Sequence, residues 1–175
     1  ATLVLNNRMG DIQIKRGASH SVEIKSLGVS GGRFVRTEIA HITYEQRGDK
    51  ILVKEQHRGD AWRNRGTINY EILLPEQSDI HIAQNEGNVD IEGVKGKINI
   101  SVNASDINLK DVHLKGQSVV GINGGTITFN GSLEKEGRTT LRSNMGSMNI
   151  TLPAESAFEF SGHTTVGSVD NQFGN

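Results

Sequence analysis

Apolar and polar residues alternate along nearly the whole chain, as they do in strands whose successive side chains point to opposite faces. No window keeps apolar residues at the three- and four-residue spacing of an amphipathic helix. Gly, Asn, Asp and Ser interrupt the alternation after three to six residues. The pattern therefore predicts an all-β protein built from short strands. Clear examples of the alternation are Ile12 and Ile14, Val22 and Ile24, Ile68, Tyr70 and Ile72, and Ile80 and Ile82.

A motif of the form Gly-x-apolar-x-apolar recurs in the second half of the chain. It starts at Gly87, Gly125 and Gly146, with Ser in the Gly place at Ser105 and a shortened copy at Gly167. Successive starts are 18, 20, 21 and 21 residues apart. A period near 20 residues with strands at a fixed phase is typical of a β-solenoid, in which apolar side chains stack inward and Gly or Ser occupies the corners.

We therefore predict a β-solenoid-like fold of the single-stranded parallel β-helix type. A secondary strand is also predicted between the motifs, at residues 96–100 and again at residues 111–114. An antiparallel sandwich or barrel would also give evenly spaced alternating strands, and it remains the alternative.

The chain length of 175 residues suits a single all-β domain covering residues 1–175. Segment 1–74 carries longer strands joined by hairpins, which predicts a flatter N-terminal sheet. Segment 75–175 carries the solenoid-like repeats. A longer internal echo relates residues 74–90 to residues 152–170, because Leu74-Pro75 and Leu152-Pro153 each precede an apolar-x-apolar strand and a later Gly-x-Val-Asp.

Composition and charge argue against several classes of function. The formal net charge of −1 and the 22% of charged residues give no reason to expect a nucleic-acid partner. No apolar run is long enough to span a membrane, and no secretory signal peptide is recognisable. The chain has no Cys, and its six His lack zinc-ligand spacing, so we expect no metal and no cofactor.

The Leu-Pro pairs, the repeated corners and the closing run Gly167-Ser-Val169-Asp-Asn-Gln-Phe173 resemble one family. It is the bacterial exported "putative adhesin" family, a β-strand-repeat family of unknown function related to the auto-transporter adhesin head with its Gly-Ile-Asn motif, which is present at Gly121-Ile122-Asn123. The resemblance covers residues 66–173 best. It implies a solenoid-like fold, an exported protein of the periplasm or cell surface, and no catalytic residues.

Two Arg-Gly-Asp tripeptides are candidate adhesion sites. The first, Arg47-Gly48-Asp49, lies between two alternating segments and suits a two-residue hairpin turn with Gly first. The second, Arg58-Gly59-Asp60, lies in a longer loop. Gly and Asp are common in turns for conformational reasons alone, so turn formation is the leading interpretation and integrin-type recognition is the alternative.

Loop 56–66 is the most unusual segment, because it holds the only Trp of the chain among several cations. An aromatic ring beside guanidinium groups suits stacking on sugars or contact with an anionic polymer. In the competing interpretation, Trp62 caps one end of a sheet while the arginines remain solvated. The candidate ligand-binding residues of this loop are Arg58, Gly59, Asp60, Trp62, Arg63 and Arg65.

These features predict a non-enzymatic adhesion, interaction or structural module of the cell envelope. We expect a protein or glycan as its surface partner, and an exposed sheet edge would allow pairing with a second copy. A polysaccharide-active β-helix enzyme is the first alternative, with carboxylates drawn from Asp90, Asp106, Asp111 and Asp170. An envelope stress or signalling component that binds a membrane partner or a peptide is the second.

Overall fold

The computed structural model describes residues 1–18, 20–30, 41–56, 66–156 and 159, and these residues form an all-β structure. The all-β prediction is confirmed, since the described elements are strands throughout and none of them is a helix that could cross a membrane. The first seven strands are β1 (Thr2–Met9), β2 (Ile12–Arg16), β3 (Glu23–Ser30), β4 (His41–Arg47), β5 (Lys50–Gln56), β6 (Gly66–Leu74) and β7 (Asp79–Glu86). The remaining six are β8 (Val89–Glu92), β9 (Lys95–Gly96), β10 (Ile98–Ala104), β11 (Ile107–Leu114), β12 (Gln117–Leu133) and β13 (Arg138–Thr151).

The strands pair into one curled 13-stranded sheet with the order β3-β6-β2-β8-β11-β12-β10-β7-β1-β5-β4. Strand β13 pairs with β12, and the short β9 pairs with β11. All pairings are parallel except β3 with β6 and β4 with β5. The curl brings the two end strands together, because the Ser26 hydroxyl on β3 and the Tyr44 hydroxyl on β4 lie 3.1 Å apart.

The sheet has two halves, and the chain passes from one to the other at a corner. The first half contains β4, β5, β1, β7, β10 and residues 117–124 of β12. The second half contains β3, β6, β2, β8, β11 and residues 127–133 of β12. The prediction of strands of three to six residues is wrong for most described strands, which have seven residues or more. The 17-residue β12 and the 14-residue β13 exceed it most, because they run through the corner. Strands β12 and β13 are paired with each other both before and after the bend, so each counts as a single strand.

The strand register reproduces the spacing of the sequence motif. Val89 is paired with Ile107, Ile107 with Ile127, and Ile127 with Met148. The same steps of 18, 20 and 21 residues separate the partners of hydrogen bonds that cross neighbouring strands. The spacing of the Gly and Ser residues in the sequence therefore matches the register of the parallel ladder.

The predicted secondary strand is wrong as a recurring element. Leu114 is paired with Gly96, whereas Ile98 is paired with Ile80 on a different strand. Gly96 and residues 111–114 thus lie in the second half of the sheet, whereas residues 98–100 lie in the first half, so the two segments are not equivalent. Both contain apolar alternation because both have one buried face, and alternation alone does not identify a partner.

Inward-facing aliphatic side chains from both halves form the hydrophobic core. Ile80 and Ile98 from the first half, and Val89 and Ile107 from the second, are almost completely buried. The largest buried side chains are Tyr70 on β6 and Phe129 on β12. Burial is lower on β13, where the other described residues leave the side chains of Met145 and Met148 exposed. The core thus leaves the other face of each strand free to carry polar groups.

Candidate binding groove

A shallow groove crosses the outer face of the first half of the sheet. Its floor is a column of small or short residues on adjacent strands, with Asn6 paired with Ala83, Ala83 with Ser101, and Ser101 with Gly121. Two adjoining concavities of about 650 and 310 Å³ share Asn6, Ala83 and Ser101. Because the floor residues come from successive parallel strands, the groove runs perpendicular to the strands.

Exposed asparagines form one wall of the groove. They occupy equivalent positions on four neighbouring strands, two residues before each corner. Asn123 Nδ2 donates to Asn103 Oδ1, and Asn144 Nδ2 donates to Asn123 Oδ1 over 2.7 Å. Each amide both donates and accepts, so the row can continue from strand to strand and still offer groups to a ligand. The four residues are Asn85, Asn103, Asn123 and Asn144.

The opposite wall combines aliphatic and polar side chains. His81 is paired with Val4 on one side and with Asn99 on the other. Asn99 Oδ1 accepts a hydrogen bond of 3.1 Å from the backbone N–H of Val119, which fixes the orientation of this amide. The two walls are four residues apart along each strand, so the groove is roughly 13 Å wide from Cα to Cα.

A buried polar cluster lies where the groove reaches the corner of the sheet. Gln84 Nε2 lies within hydrogen-bond distance of the carbonyl oxygens of Gly10, Glu86 and Gly87, at 2.6 to 2.9 Å. Asn7 Nδ2 contacts the Gly10 carbonyl oxygen at 3.1 Å. These amides bind carbonyl oxygens at the corner, where the strand direction changes. The Glu86 carbonyl oxygen also accepts a 3.0 Å hydrogen bond from the Gly10 N–H.

Glu55 and Tyr70 extend this cluster. The Tyr70 hydroxyl donates to Glu55 Oε1 over 3.2 Å, and the backbone N–H of Arg8 donates to Glu55 Oε2 over 3.4 Å. Burial raises the pKa of the Tyr70 phenol, and the neighbouring Glu55 carboxylate raises it further. The folded protein therefore holds the phenol proton more tightly than the unfolded chain does.

Tyr70 is expected to make the protein sensitive to alkali. The phenol of an unfolded chain ionises near pH 10, so the stabilisation is complete below that pH and is lost as pH rises above it. In a Tyr44→Phe variant, tyrosinate absorbance reports Tyr70 alone, and we expect it to appear together with loss of the circular dichroism signal. Ionisation near pH 10 with an unchanged circular dichroism spectrum would contradict the assigned burial. A Tyr44→Phe, Tyr70→Phe double variant serves as the control.

The first Arg-Gly-Asp tripeptide lies on the hairpin between β4 and β5. Arg47 is paired with Lys50, and Gly48 and Asp49 form the two-residue turn expected from the sequence, with Gly48 at a φ of +57°. The Arg47 guanidinium pairs with Glu45, and the Asp49 carbonyl oxygen accepts a 2.7 Å hydrogen bond from Thr2. The turn is exposed and anchored to β1, while a role in recognition stays a prediction.

The other predicted site lies outside the described residues. It comprises Arg58, Gly59, Asp60, Trp62, Arg63 and Arg65. The loop follows Gln56, the last residue of β5, and it precedes Gly66, the first residue of β6. Since Glu55 lines the groove, the described chain enters this loop beside one end of the groove.

Acidic corner residues cap backbone groups. Asp106 Oδ1 accepts from the Thr126 N–H over 2.8 Å, and Asp11 Oδ1 accepts from the Asn88 N–H over 2.9 Å. Asn88 Oδ1 accepts in turn from the Asp106 N–H over 3.2 Å. This column of side chains links successive corners and supplies acceptors for N–H groups at the bend. Among the described residues, no three His, Cys, Asp or Glu side chains form a group that could hold a metal ion.

Sequence reasoning missed the groove, although one signal was present. Each wall asparagine stands two residues before a Gly or Ser corner, as in Asn85-Glu-Gly87 and Asn103-Ala-Ser105. The same spacing recurs in Asn123-Gly-Gly125 and Asn144-Met-Gly146. A residue that occupies the same position in every repeat lies beside the equivalent residues when the repeats stack in parallel. The constant position of these asparagines therefore predicts a row of asparagines.

Comparison with known proteins yields a distant structural likeness. No family model matches the chain, and no curated protein matches it. A similar solved structure is the crystal structure of a "putative cell adhesion protein" from Clostridium sporogenes. The two share 13% sequence identity and a TM-score of 0.49, over 87% of this chain and 92% of that chain. A likeness this distant assigns neither a family nor a function.

Proposed function

We propose that the protein is a non-enzymatic recognition module of the adhesin type, with a β-solenoid as its scaffold. Its contact surface is the groove on the outer face of the first half of the sheet, and its partner is a polymer at a cell surface. The observation that carries the proposal is the row of exposed amides beside a floor of small residues. We also assign the protein to the cell envelope, the location that its resemblance to exported proteins implies.

The solenoid assignment is supported by the regular alternation between the two halves of the sheet. Strand β1 leads to β2, β7 to β8, and β10 to β11, while β12 and β13 each pass through both halves. Five successive segments therefore follow the same path in parallel register. The antiparallel pairs lie at the two ends of the strand order, where they extend the sheet without entering this path.

A scaffold of this kind suits recognition. The floor residues belong to ladders that are paired on both sides, so the groove is formed before the partner arrives. A preformed site loses little conformational entropy on binding, and it can therefore use shallow polar contacts effectively. The exposed positions of Ala83 and Ser101 leave room for a ligand that larger side chains would exclude.

The arrangement of carboxylates favours recognition over polysaccharide cleavage. Cleavage by the usual glycosidase mechanisms needs two carboxyl groups that flank the scissile bond. Among the described residues that line the groove, Glu55 is the single carboxylate, and it accepts a hydrogen bond from Tyr70. Asp106 caps a backbone N–H at a corner instead of lining the groove.

The proposal is tested by filling the groove. Purified protein is applied to an array of immobilised glycans and extracellular-matrix proteins, beside a Ser101→Trp variant whose indole would occupy the floor. We expect binding to at least one polymer and at least a tenfold loss of affinity in this variant, which corresponds to about 1.4 kcal/mol. The matched control is Asn108→Trp, a position that is also exposed, on the outer face of the second half.

Other outcomes decide against the groove or against recognition. Loss of binding in a Trp62→Ala, Arg63→Ala double variant, with Ser101→Trp unaffected, would move the contact surface to loop 56–66. Binding to no polymer would remove the recognition function. Release of soluble sugar from an arrayed polysaccharide would favour the β-helix enzyme.

A further inference from the structure

We infer that the ligand of the groove is an acidic oligosaccharide that lies across the strands with its anionic groups near the two ends of the floor column. The inference rests on the proposed function and names the ligand class of the same site. Three features of the groove carry it: a floor column without charged residues, the hydrogen-bonding groups exposed beside it, and the cations at the two ends of that column.

The floor column itself is uncharged, and the charged residues that line the groove, Arg8 and Glu55, belong to β1 and β5 at one side. The groove is rich in groups that both donate and accept hydrogen bonds. Asn6, Asn85 and Ser101 are exposed, and their side chains make no hydrogen bond with the other described residues. An amide or hydroxyl of this kind pairs equally well with a sugar hydroxyl as donor or as acceptor. Ladder neighbours stand about 4.8 Å apart, so such groups recur at short intervals along a ligand that crosses the strands.

Cations stand at both ends of the floor column. Lys54 on β5 is paired with Asn6, and Arg142 on β13 is paired with Gly121. Both residues are exposed, and neither forms an ion pair with another described residue. Five strand steps separate them, which corresponds to roughly 24 Å along the surface of the sheet. An extended oligosaccharide can span this distance and bring one acidic group to each cation.

Charge on the second half of the sheet is arranged differently. There Lys110 pairs with Glu92 over 2.8 Å, so the cation is already neutralised by a neighbouring strand. Lys95 is likewise paired with Glu76 over 2.9 Å. An acidic polymer would therefore be drawn to the groove, where Lys54 and Arg142 form no ion pair with another described residue, and much less to the second half.

The inference is tested with three acidic probes: oligosaccharides prepared from polygalacturonate, alginate and hyaluronan. The oligogalacturonate is compared with its methyl-esterified form, which has the same sugar chain without the charge. We expect the wild-type protein to bind at least one acidic probe, with an affinity that falls as salt rises, and to bind the esterified form more weakly. Fragments too short to span β5 to β13 are expected to bind more weakly than long ones.

Variants that remove single positive charges show which cations contribute to binding of the acidic probe. Lys54→Gln and Arg142→Gln are each expected to lower the affinity for the acidic probe by about two- to fivefold, the range for exposed ion pairs. The matched control is Lys110→Gln, which changes the net charge equally and should leave the affinity unchanged. An equal loss in the control would mean that net charge, and not the groove, determines binding.

Failure of the inference and failure of the proposed function give different results. If none of the three acidic probes binds, or if the esterified form binds equally well, the acidic ligand is wrong. The groove would remain the contact surface in that case, provided that Ser101→Trp still abolishes binding to an arrayed polymer. If Ser101→Trp has no effect on any binding, both the ligand class and the groove are wrong.

Discussion

Replacing Gly125 by alanine is expected to lower the free energy of unfolding by several kcal/mol, on the order of 3 to 5. Gly125 occupies a corner at a φ of +129°, a conformation that residues with a Cβ rarely adopt. A Cβ added there would lie 1.8 Å from the Ser105 carbonyl oxygen on the preceding corner. Ser105 lies between β10 and β11, and its N–H donates a 3.0 Å hydrogen bond to the Gly124 carbonyl oxygen, so this backbone cannot move aside without disturbing the neighbouring strands.

Gly116→Ala is the matched control for the corner. Gly116 also has a positive φ, +54°, but a Cβ added there would meet no atom within 4 Å. The cost of the left-handed conformation alone is about 1 to 2 kcal/mol. Urea unfolding followed by circular dichroism compares the two variants. An equal loss of unfolding free energy in the two variants would show that the corner at Gly125 relaxes to accept the Cβ. The close approach of successive turns would then contribute little to the cost of the substitution.

Phe129→Ala is expected to lower the free energy of unfolding by about 3 to 5 kcal/mol. Phe129 is among the largest fully buried side chains, and its ladder neighbours are Leu109 and Ile150. Removal of the ring leaves a cavity between strands whose spacing is fixed by backbone hydrogen bonds. Because the strands cannot close the gap, the lost contacts are not recovered.

The control for Phe129 lies on the same strand. Val119 on β12 is 42% exposed, so Val119→Ala should change the free energy of unfolding by no more than about 0.5 kcal/mol. The measurement is again the urea midpoint and slope for each variant. A loss below about 1.5 kcal/mol for Phe129→Ala would contradict the rigid core, since it would require the neighbouring strands to repack around the missing ring.

Features that depend on local sequence could be predicted without the structure. Alternation identified β-structure because one face of each strand is buried. The Gly and Ser phase gave the ladder register from β8 to β13, since a repeat that stacks in parallel must place equivalent residues side by side. The turn at Gly48-Asp49 followed from the positive φ that a two-residue hairpin requires.

Pairings between distant segments could not be predicted in this way. Strand β1 pairs with both β5 and β7, and β2 pairs with β6 and β8. The motif does occur at Gly10-Asp-Ile12-Gln-Ile14, but 77 residues separate Gly10 from Gly87, so the period near 20 residues did not assign β2 to the stack. Many strand pairings bury the same apolar faces, and only the complete set of ladders decides which one is formed.

The sequence by itself determined that the chain is all-β, that its second half repeats near every 20 residues, and which positions are corners. These properties follow from side-chain alternation and from the backbone freedom of Gly, both of which are local. Only the tertiary structure decided that Asn6, Ala83, Ser101 and Gly121 form one floor, with Lys54 and Arg142 at its ends. Residues far apart in the chain become neighbours only when the register of every intervening strand is fixed, so the groove is a property of the assembled sheet.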